Sequence, residues 1–265
     1  MRILLITGSH PRHSYVAQML YNAGFLSSLI VENREEFLPS PPDSIVESDK
    51  ELFIRHFKER EQAEHRAFKV NELSHWSIPI LKVEAPELNS SKVKDWVINT
   101  SPDVVISYGV HKLGNNILSL FPKYSWNIHG GLSPWYRGNT TLFWPFYFMK
   151  PNWSGMTIHR LTEKLDGGSI VHHSIPELDY GDGIHDVACK AVKQVSLDLV
   201  AILQKISLGE EIVETLQKSS GKLFTSADWE PHHLRVIYEL FNNDIVDHYL
   251  DGKLGHSQPP LIRAF

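Results

Sequence analysis

Short apolar runs alternate with amphipathic stretches along this chain, the pattern of a sheet whose strands are joined by helices. The first run, Ile3-Leu4-Leu5-Ile6-Thr7, ends at Gly8, as a central strand buried on both faces would. GSHPRHSYVAQML then turns into a helix with Val16, Met19 and Leu20 on one face. Gly24 closes that helix, and residues 25–31 form the second strand. Residues 32–47 are a polar connection in which Pro39, Pro41 and Pro42 exclude regular structure. Ser48-Asp49-Lys50-Glu51 has the form of a capping box. It opens a long, charged helix over residues 48–68 with Phe53 and Phe57 on one side. Further strands are predicted over 78–83 and 104–108, with a helix over 92–99 between them. Val187, Ala191, Val195 and Leu199 keep helical register over 186–205. The alternation predicts an α/β fold: a Rossmann-like, mostly parallel sheet flanked by helices. Residues 206–265 change character. They predict a small C-terminal extension to a 1–205 catalytic domain, with an extended piece near 223–224 and short helices over 231–241 and 244–250.

The centre of this pattern is SWNIHGGLSPWYRG, residues 125–138, preceded by the strand-like VVISYGV. Residues 126–129 read as a short strand, so Asn127 and His129 project side by side while Ile128 turns into the core. Gly130-Gly131 stops the strand and Leu132-Ser133-Pro134 begins an irregular loop. An amide and an imidazole are thereby presented at a strand end, where open α/β sheets bind their ligands. GMTIHRLTEKLDGGSIV, residues 155–171, adds a strand over 156–161, a turn at Leu165-Asp166-Gly167-Gly168, and the start of another strand over 169–171. Asn, His and Asp suit acyl transfer to an amine. The amide N–H stabilises a developing oxyanion, the imidazole relays the amine's proton, and the carboxylate orients or charge-stabilises the imidazole or holds a water.

Composition narrows the classes. Of 265 residues, 42% are hydrophobic and 22% charged, with a net charge of −5. That is enough apolar material for a sizeable core and no basic field for nucleic acid. The apolar runs are too short to span a bilayer. Met1-Arg2 leads straight into a strand without a signal-peptide pattern, and Cys189 is the only cysteine, so a cytoplasmic location is expected. Cys189 falls in a helical pattern, as a small core residue. Fifteen histidines raise the question of metal, but His172-His173 and His232-His233 are adjacent pairs, and adjacent strand side chains face opposite ways. No metal site is expected. His10, His13, His111 and His159 read as surface or hydrogen-bonded residues. Gly8 and Ser9 are candidates for holding a phosphate through free backbone N–H groups, or form a plain strand-to-helix turn. TTLFWPFYFM, residues 140–149, reads as an aromatic helix on the sheet, kinked or started late by Pro145.

The two extended motifs, NIHGGLSPWYRG and GMTIHRLTEKLDGGSIV, resemble the signature of the formyltetrahydrofolate-dependent formyltransferases, over roughly residues 1–205. That family includes glycinamide ribonucleotide, methionyl-tRNA and sugar-nucleotide N-formyltransferases. The resemblance implies a catalytic Asn127, His129 and Asp166, and 10-formyltetrahydrofolate as co-substrate. It places the folate against Ser107, Tyr108, Gly109, Val110 and Leu113 of SYGVHKLGNNILSLF, and against Leu161, Leu165, Gly167 and Gly168. Gly167 is the position expected to need close backbone approach or a positive φ. Gly130-Gly131 and Leu132-Ser133-Pro134 depart from the bulkier family pattern and alter only the loop's shape. Tyr136 and Arg137 either contact a substrate or anchor that loop.

For the acceptor, the resemblance points first to a nucleotide-linked amino sugar, then to glycinamide ribonucleotide or a hydroxyornithine-type amine. The short C-terminal extension weighs against tRNA. The 48–68 helix is a solvated helix with one apolar stripe, or an acceptor-binding or dimer-forming element, so a homodimer is a possible partner arrangement. Readings from other classes are an NAD(P)-dependent oxidoreductase, which lacks its second and third glycines here, and an inactive folate-binding module.

Overall fold

A computed structural model describes residues 1–34, 38–69, 76–218 and 221–265; residues 35–37 of the proline-rich connection and 219–220 of the C-terminal extension lie outside the described residues. The strands are β1 (Ile3–Gly8), β2 (Leu26–Glu32), β3 (Ile80–Val83), β4 (Val104–Tyr108), β5 (Tyr124–His129), β6 (Tyr136–Gly138), β7 (Met156–Arg160), β8 (Ile170–Ser174) and β9 (Lys222–Phe224). The helices are α1 (Pro11–Asn22), α2 (Glu47–Ala67), α3 (Ser91–Thr100), α4 (Asn115–Leu118), α5 (Trp144–Tyr147), α6 (Ile184–Ser207) and α7 (Ile245–Leu250). Seven strands make one sheet in the order β3-β2-β1-β4-β5-β7-β8, and β6 pairs with β9 in a separate ribbon. β3 to β5 across the sheet are parallel. β7 and β8 are added antiparallel. This is the expected α/β architecture, a mostly parallel sheet with helices on both faces.

Alternation along the strands builds the two layers. Ile3, Leu5, Val104, Ile106, Trp126 and Ile128 pack with α1 and α6, whereas Leu4, Ile6 and Val105 pack with Val93 and Val97 of α3. Trp126 is fully buried, a burial worth on the order of 2–3 kcal/mol for an aromatic of this size. With Trp126 and Ile128 committed to one face, Asn127 and His129 fall on the other. A third, aromatic cluster joins α2, β6 and the C-terminal extension through Phe53, Tyr136, Trp144, Phe224, Ile237 and Tyr238.

Several local expectations shift. α2 begins at Glu47 with Val46 as its N-cap and no side-chain cap, so the capping box at Ser48 does not form. The Asp49 carboxylate instead accepts both Nε and Nη2 of Arg235, at 2.7 and 3.0 Å, which ties α2 to the C-terminal extension. The 140–149 helix shrinks to α5, with Pro145 in its first turn, where a missing N–H costs nothing. Residues 231–241 are a 3₁₀ turn, Pro231–His233, followed by a π-helical turn, Val236–Leu240. His172 and His173 face opposite sides: His172 Nε2 lies 3.2 Å from the Asp198 carboxylate, and His173 Nε2 lies 2.8 Å from the Ser133 carbonyl.

Candidate active site

Register across three strands assembles the first part of the site. Ser107 of β4 is paired with Asn127 of β5, and Asn127 with His159 of β7. The Ser107 hydroxyl donates to Asn127 Oδ1 at 2.7 Å, and Asn127 Nδ2 lies 3.2 Å from His159 Nε2. His159 Nδ1 lies 2.9 Å from the Arg160 carbonyl; a carbonyl only accepts, so the proton is on Nδ1 and Nε2 accepts from the amide. The amide is thereby gripped from both neighbouring strands. One N–H remains for a ligand.

His129 and Asp166 complete the site. His129 Nε2–H donates to the Tyr136 carbonyl at 2.8 Å, which turns Nδ1 towards the Asp166 carboxylate 3.5 Å away. His159 Nε2 is 3.4 Å from the other carboxylate oxygen, and the Gly138 N–H donates to Asp166 at 2.8 Å. Gln217 Nε2 holds the turn by donating to the carbonyls of Asp166 and Gly168 at 2.8 and 2.7 Å. The positive φ, 44°, belongs to Asp166 itself, not to Gly167. A Cβ at Gly167 would meet only the flexible Lys164 side chain, whereas one at Gly168 would overlap the Arg160 carbonyl; Gly168 is the position of close backbone approach.

Electrostatics follow from burial. Asp166 and His129 are 6% exposed and His159 2%. Burial pushes the Asp166 carboxyl up, but the adjoining His129 and His159 rings and the Gly138 N–H outweigh it and hold the group at about 2. Burial lowers the pKa of His129, with Asp166 opposing. The resting site is therefore a carboxylate beside a neutral imidazole whose free Nδ1 is a proton acceptor. Arg137 is 7% exposed, and its guanidinium has no hydrogen-bond or ion-pair partner among the described residues; its charge also disfavours protonation of His129.

Two cavities meet at these residues. The first, about 100 Å³, is lined by Ser107, Val110, Leu113, Leu161, Leu165, Asn127, His159 and Asp166, and by the charged Lys112, Glu163 and Lys164. The second, about 410 Å³, is lined by His129, Gly130 and residues 138–143, by α1, α2 and α6, and by Trp229. Of the residues expected to hold folate, Tyr108 and Gly109 border the second cavity, and Gly167 and Gly168 border neither. Gly8, Ser9, Tyr136 and Arg137 line neither cavity; the ring of His13 fills the space over Gly8, and Ser9 Oγ accepts the Arg34 N–H at 2.9 Å. The sequence alone leaves His159 outside the site, because its pairing with Asn127 is set by the register between β5 and β7. His56, Phe57 and Arg60 lie on the 48–68 helix offered as an acceptor-binding element, whereas Trp229 carries no local signal. Among the described residues no group of three or more His, Cys, Asp or Glu is placed to hold a metal, and no helix is long and apolar enough to cross a membrane.

Residues 30–202 match the formyl transferase family model. A segment of 127 residues is 29% identical to the bifunctional polymyxin resistance protein ArnA of Wigglesworthia glossinidia brevipalpis, covering 46% of this chain and 19% of that protein; the matched part is thus about a fifth of the relative. The fold is similar to phosphoribosylglycinamide formyltransferase from Anaplasma phagocytophilum, with a TM-score of 0.56 at 15% identity, covering 85% of this chain and 98% of that one. It is similar also to the formyltransferase PseJ from Anoxybacillus kamchatkensis, whose crystal holds UDP-4,6-dideoxy-4-formamido-L-AltNAc and tetrahydrofolate. That TM-score is 0.53 at 17% identity, over 92% of this chain and 96% of that one.

Proposed function

Because the chain belongs to the formyl transferase family, we propose that it moves the formyl group of 10-formyltetrahydrofolate to the primary amine of a nucleotide-linked amino sugar. The observation that carries the reading is the position of the polar cluster between two cavities. Asn127, His159 and Asp166 border the first and His129 borders the second. A formyl donor on one side and an amine on the other would meet at the Asn127 amide. The tetrahydrofolate and the UDP-linked formamido sugar in the PseJ crystal support the assignment of the two substrates.

In the reaction, the amine nitrogen attacks the formyl carbon and the C–O π electrons move onto oxygen. The spare Asn127 N–H stabilises that oxyanion. The Ser107 and His159 contacts hold the amide in place, so little reorganisation is needed. The proton lost by the amine passes to His129 Nδ1, and Asp166 stabilises the imidazolium so formed. Collapse of the tetrahedral centre breaks the bond to the folate nitrogen, which takes the proton from His129, directly or through water. The acid–base pair then returns to carboxylate and neutral imidazole.

A second reading, glycinamide ribonucleotide as acceptor, is favoured by the fold's similarity to the Anaplasma enzyme. The two separate in a formyl-transfer assay with 10-formyltetrahydrofolate and a panel of dTDP- and UDP-linked amino sugars, the corresponding free amino sugars, and glycinamide ribonucleotide. The proposal expects turnover of a nucleotide-linked sugar and poor use of the free sugar. Exclusive turnover of glycinamide ribonucleotide, or equal efficiency with free sugar, would refute it.

A further inference from the structure

His13 is 2% exposed, on the first turn of α1, yet it borders the second cavity together with Tyr108, Gly109, Arg12 and His129. Its ring fits there because two neighbouring strands end in glycine. A Cβ on Gly8 at the end of β1, or on Gly109 just after β4, would collide with the imidazole. Tyr108 packs against the ring edge-on, with centroids 4.8 Å apart, which fixes its plane. The His10 backbone N–H donates to Nδ1 at 3.3 Å, so the neutral ring carries its proton on Nε2. That Nε2–H has no hydrogen-bond partner among the described residues. Burial, with the charges of Arg12, His10 and Arg34, keeps the ring neutral.

A donor at a cavity wall with no protein acceptor is available to a ligand that brings one. The cavity's charge says which kind. Its charged lining residues are Arg12, Arg60 and Glu64, two positive against one negative. Burial depresses the pKa of the lining histidines His13, His56, His129 and His185, so they add no charge at neutral pH. Glu64 is already occupied by Arg12 at 2.7 Å. A net positive wall with a fixed, neutral N–H donor matches an anionic oxygen.

We propose that His13 is a specificity-determining residue of the acceptor cavity, donating from Nε2 to an anionic oxygen of the amine substrate. It rests on reading the second cavity as the acceptor side. The oxygen belongs either to a phosphoryl group of a nucleotide or to a carboxylate of an amino acid, and both present the same acceptor geometry. It is the side chain, not the backbone of the strand-to-helix turn, that makes the contact. In this chain, a change at Gly8 or Gly109 would displace it.

The test is binding of dTDP, UDP, glycinamide ribonucleotide and N-hydroxyornithine by titration calorimetry to wild type, His13→Phe and His13→Gln, with KM for acceptor and for folate measured wherever turnover is seen. Phe keeps a ring between the two glycines but removes the donor, and Gln restores a terminal N–H. Thermal melts establish that both variants are folded. His13→Phe is expected to weaken the anionic probe that binds wild type by about 10- to 100-fold, raise the acceptor KM likewise and leave the folate KM alone, while His13→Gln recovers most of the loss. Loss with dTDP or UDP assigns the phosphoryl source, and loss with N-hydroxyornithine the carboxylate. Equal binding to wild type and His13→Phe, no anionic probe binding to wild type, or an equal rise in folate KM would overturn it. Absence of formyl transfer to any amine, with anion binding still dependent on His13, would instead remove the proposed reaction and leave this assignment standing.

Discussion

The two cavities are made in different ways. The first draws on residues between 107 and 118, on Asn127 and on residues 159–166, from three adjacent strands, the loops that leave them and α4. The second is assembled from α1, α2, α6, two strand ends, the 138–143 loop and Trp229. Its walls also differ in chemistry. Four histidines with their charged forms disfavoured by burial line the second, beside Arg12, Arg60 and Glu64, whereas Lys112 and Lys164 line the first with Glu163 and Asp166. A site encoded in contiguous motifs fixes the reaction. A site gathered from distant segments is free to vary with the acceptor.

The sharpest way to break this division is at the partition. His129→Ala, Asp166→Ala and Asn127→Ala should each lower kcat by about 100-fold or more, through loss of the proton relay or of an oxyanion donor. The loss should fall on kcat for every acceptor, because the chemistry is common to them. Near-wild-type turnover by folded His129→Ala protein would remove the central claim.

The next effect separates two neighbouring glycines of the first cavity's loop. Gly168→Ala drives a Cβ into the Arg160 carbonyl, and Gly167→Ala meets only Lys164 methylenes that can swing aside. Overpacking against backbone costs about 1–3 kcal/mol. Gly168→Ala should therefore lower the melting temperature and raise the folate KM, with Gly167→Ala close to wild type in both. Indistinguishable variants would mean that the loop is not held against β7 as described.

The legibility of the chain follows the same division. The alternation of strands and helices, the Asn127–His129 pair and the Asp166 turn are visible in sequence because period-two alternation and glycine punctuation act over a few residues. Five of the nine residues expected to hold folate line the first cavity for the same reason. His159 was hidden because its partner Asn127 is set by strand register, which one sequence does not reveal. The capping box at Ser48 does not form because α2 starts earlier, with Val46 as its N-cap; Asp49 binds Arg235, 186 residues further along the chain. The 231–241 helix breaks into 3₁₀ and π turns within the aromatic cluster, where tertiary packing overrides local propensity. Phe57 and Trp229 meet with ring centroids 6.2 Å apart, a contact that no local pattern announces.

Acid should act on the two sides of the partition in separate windows. A histidine held below its unfolded value contributes stability that is full above about pH 6.5 and is lost as pH falls towards the folded value. Burial, with Arg60, holds His185 down to about 3. The expected slope is about 1.4 kcal/mol per pH unit for each such group. Asp166, held at about 2, contributes stability that is present above roughly pH 4 and lost only as pH falls through its folded value. Denaturant melts from pH 7 to 5 should show falling stability, and His185→Asn should flatten the curve by roughly 2 kcal/mol over that range. An unchanged slope in that variant would contradict a buried neutral His185.

The smallest effect bears on whether the C-terminal extension belongs to the acceptor side at all. Trp229 borders the second cavity and rests on Phe53, Phe57 and Phe143, with ring centroids 6.0 to 6.2 Å apart. Trp229→Leu keeps apolar bulk in that cluster and removes the indole face offered to a ligand. An aromatic contact of this kind is worth about 0.5–1.5 kcal/mol, so the acceptor KM should rise roughly three- to tenfold, with kcat and the folate KM unchanged. A purely structural Trp229 predicts the opposite split: a lower melting temperature, with both KM values unmoved. A rise in folate KM alone would place the extension on the wrong side of the partition. Steady-state kinetics with each substrate varied in turn, beside a thermal melt, distinguishes the three.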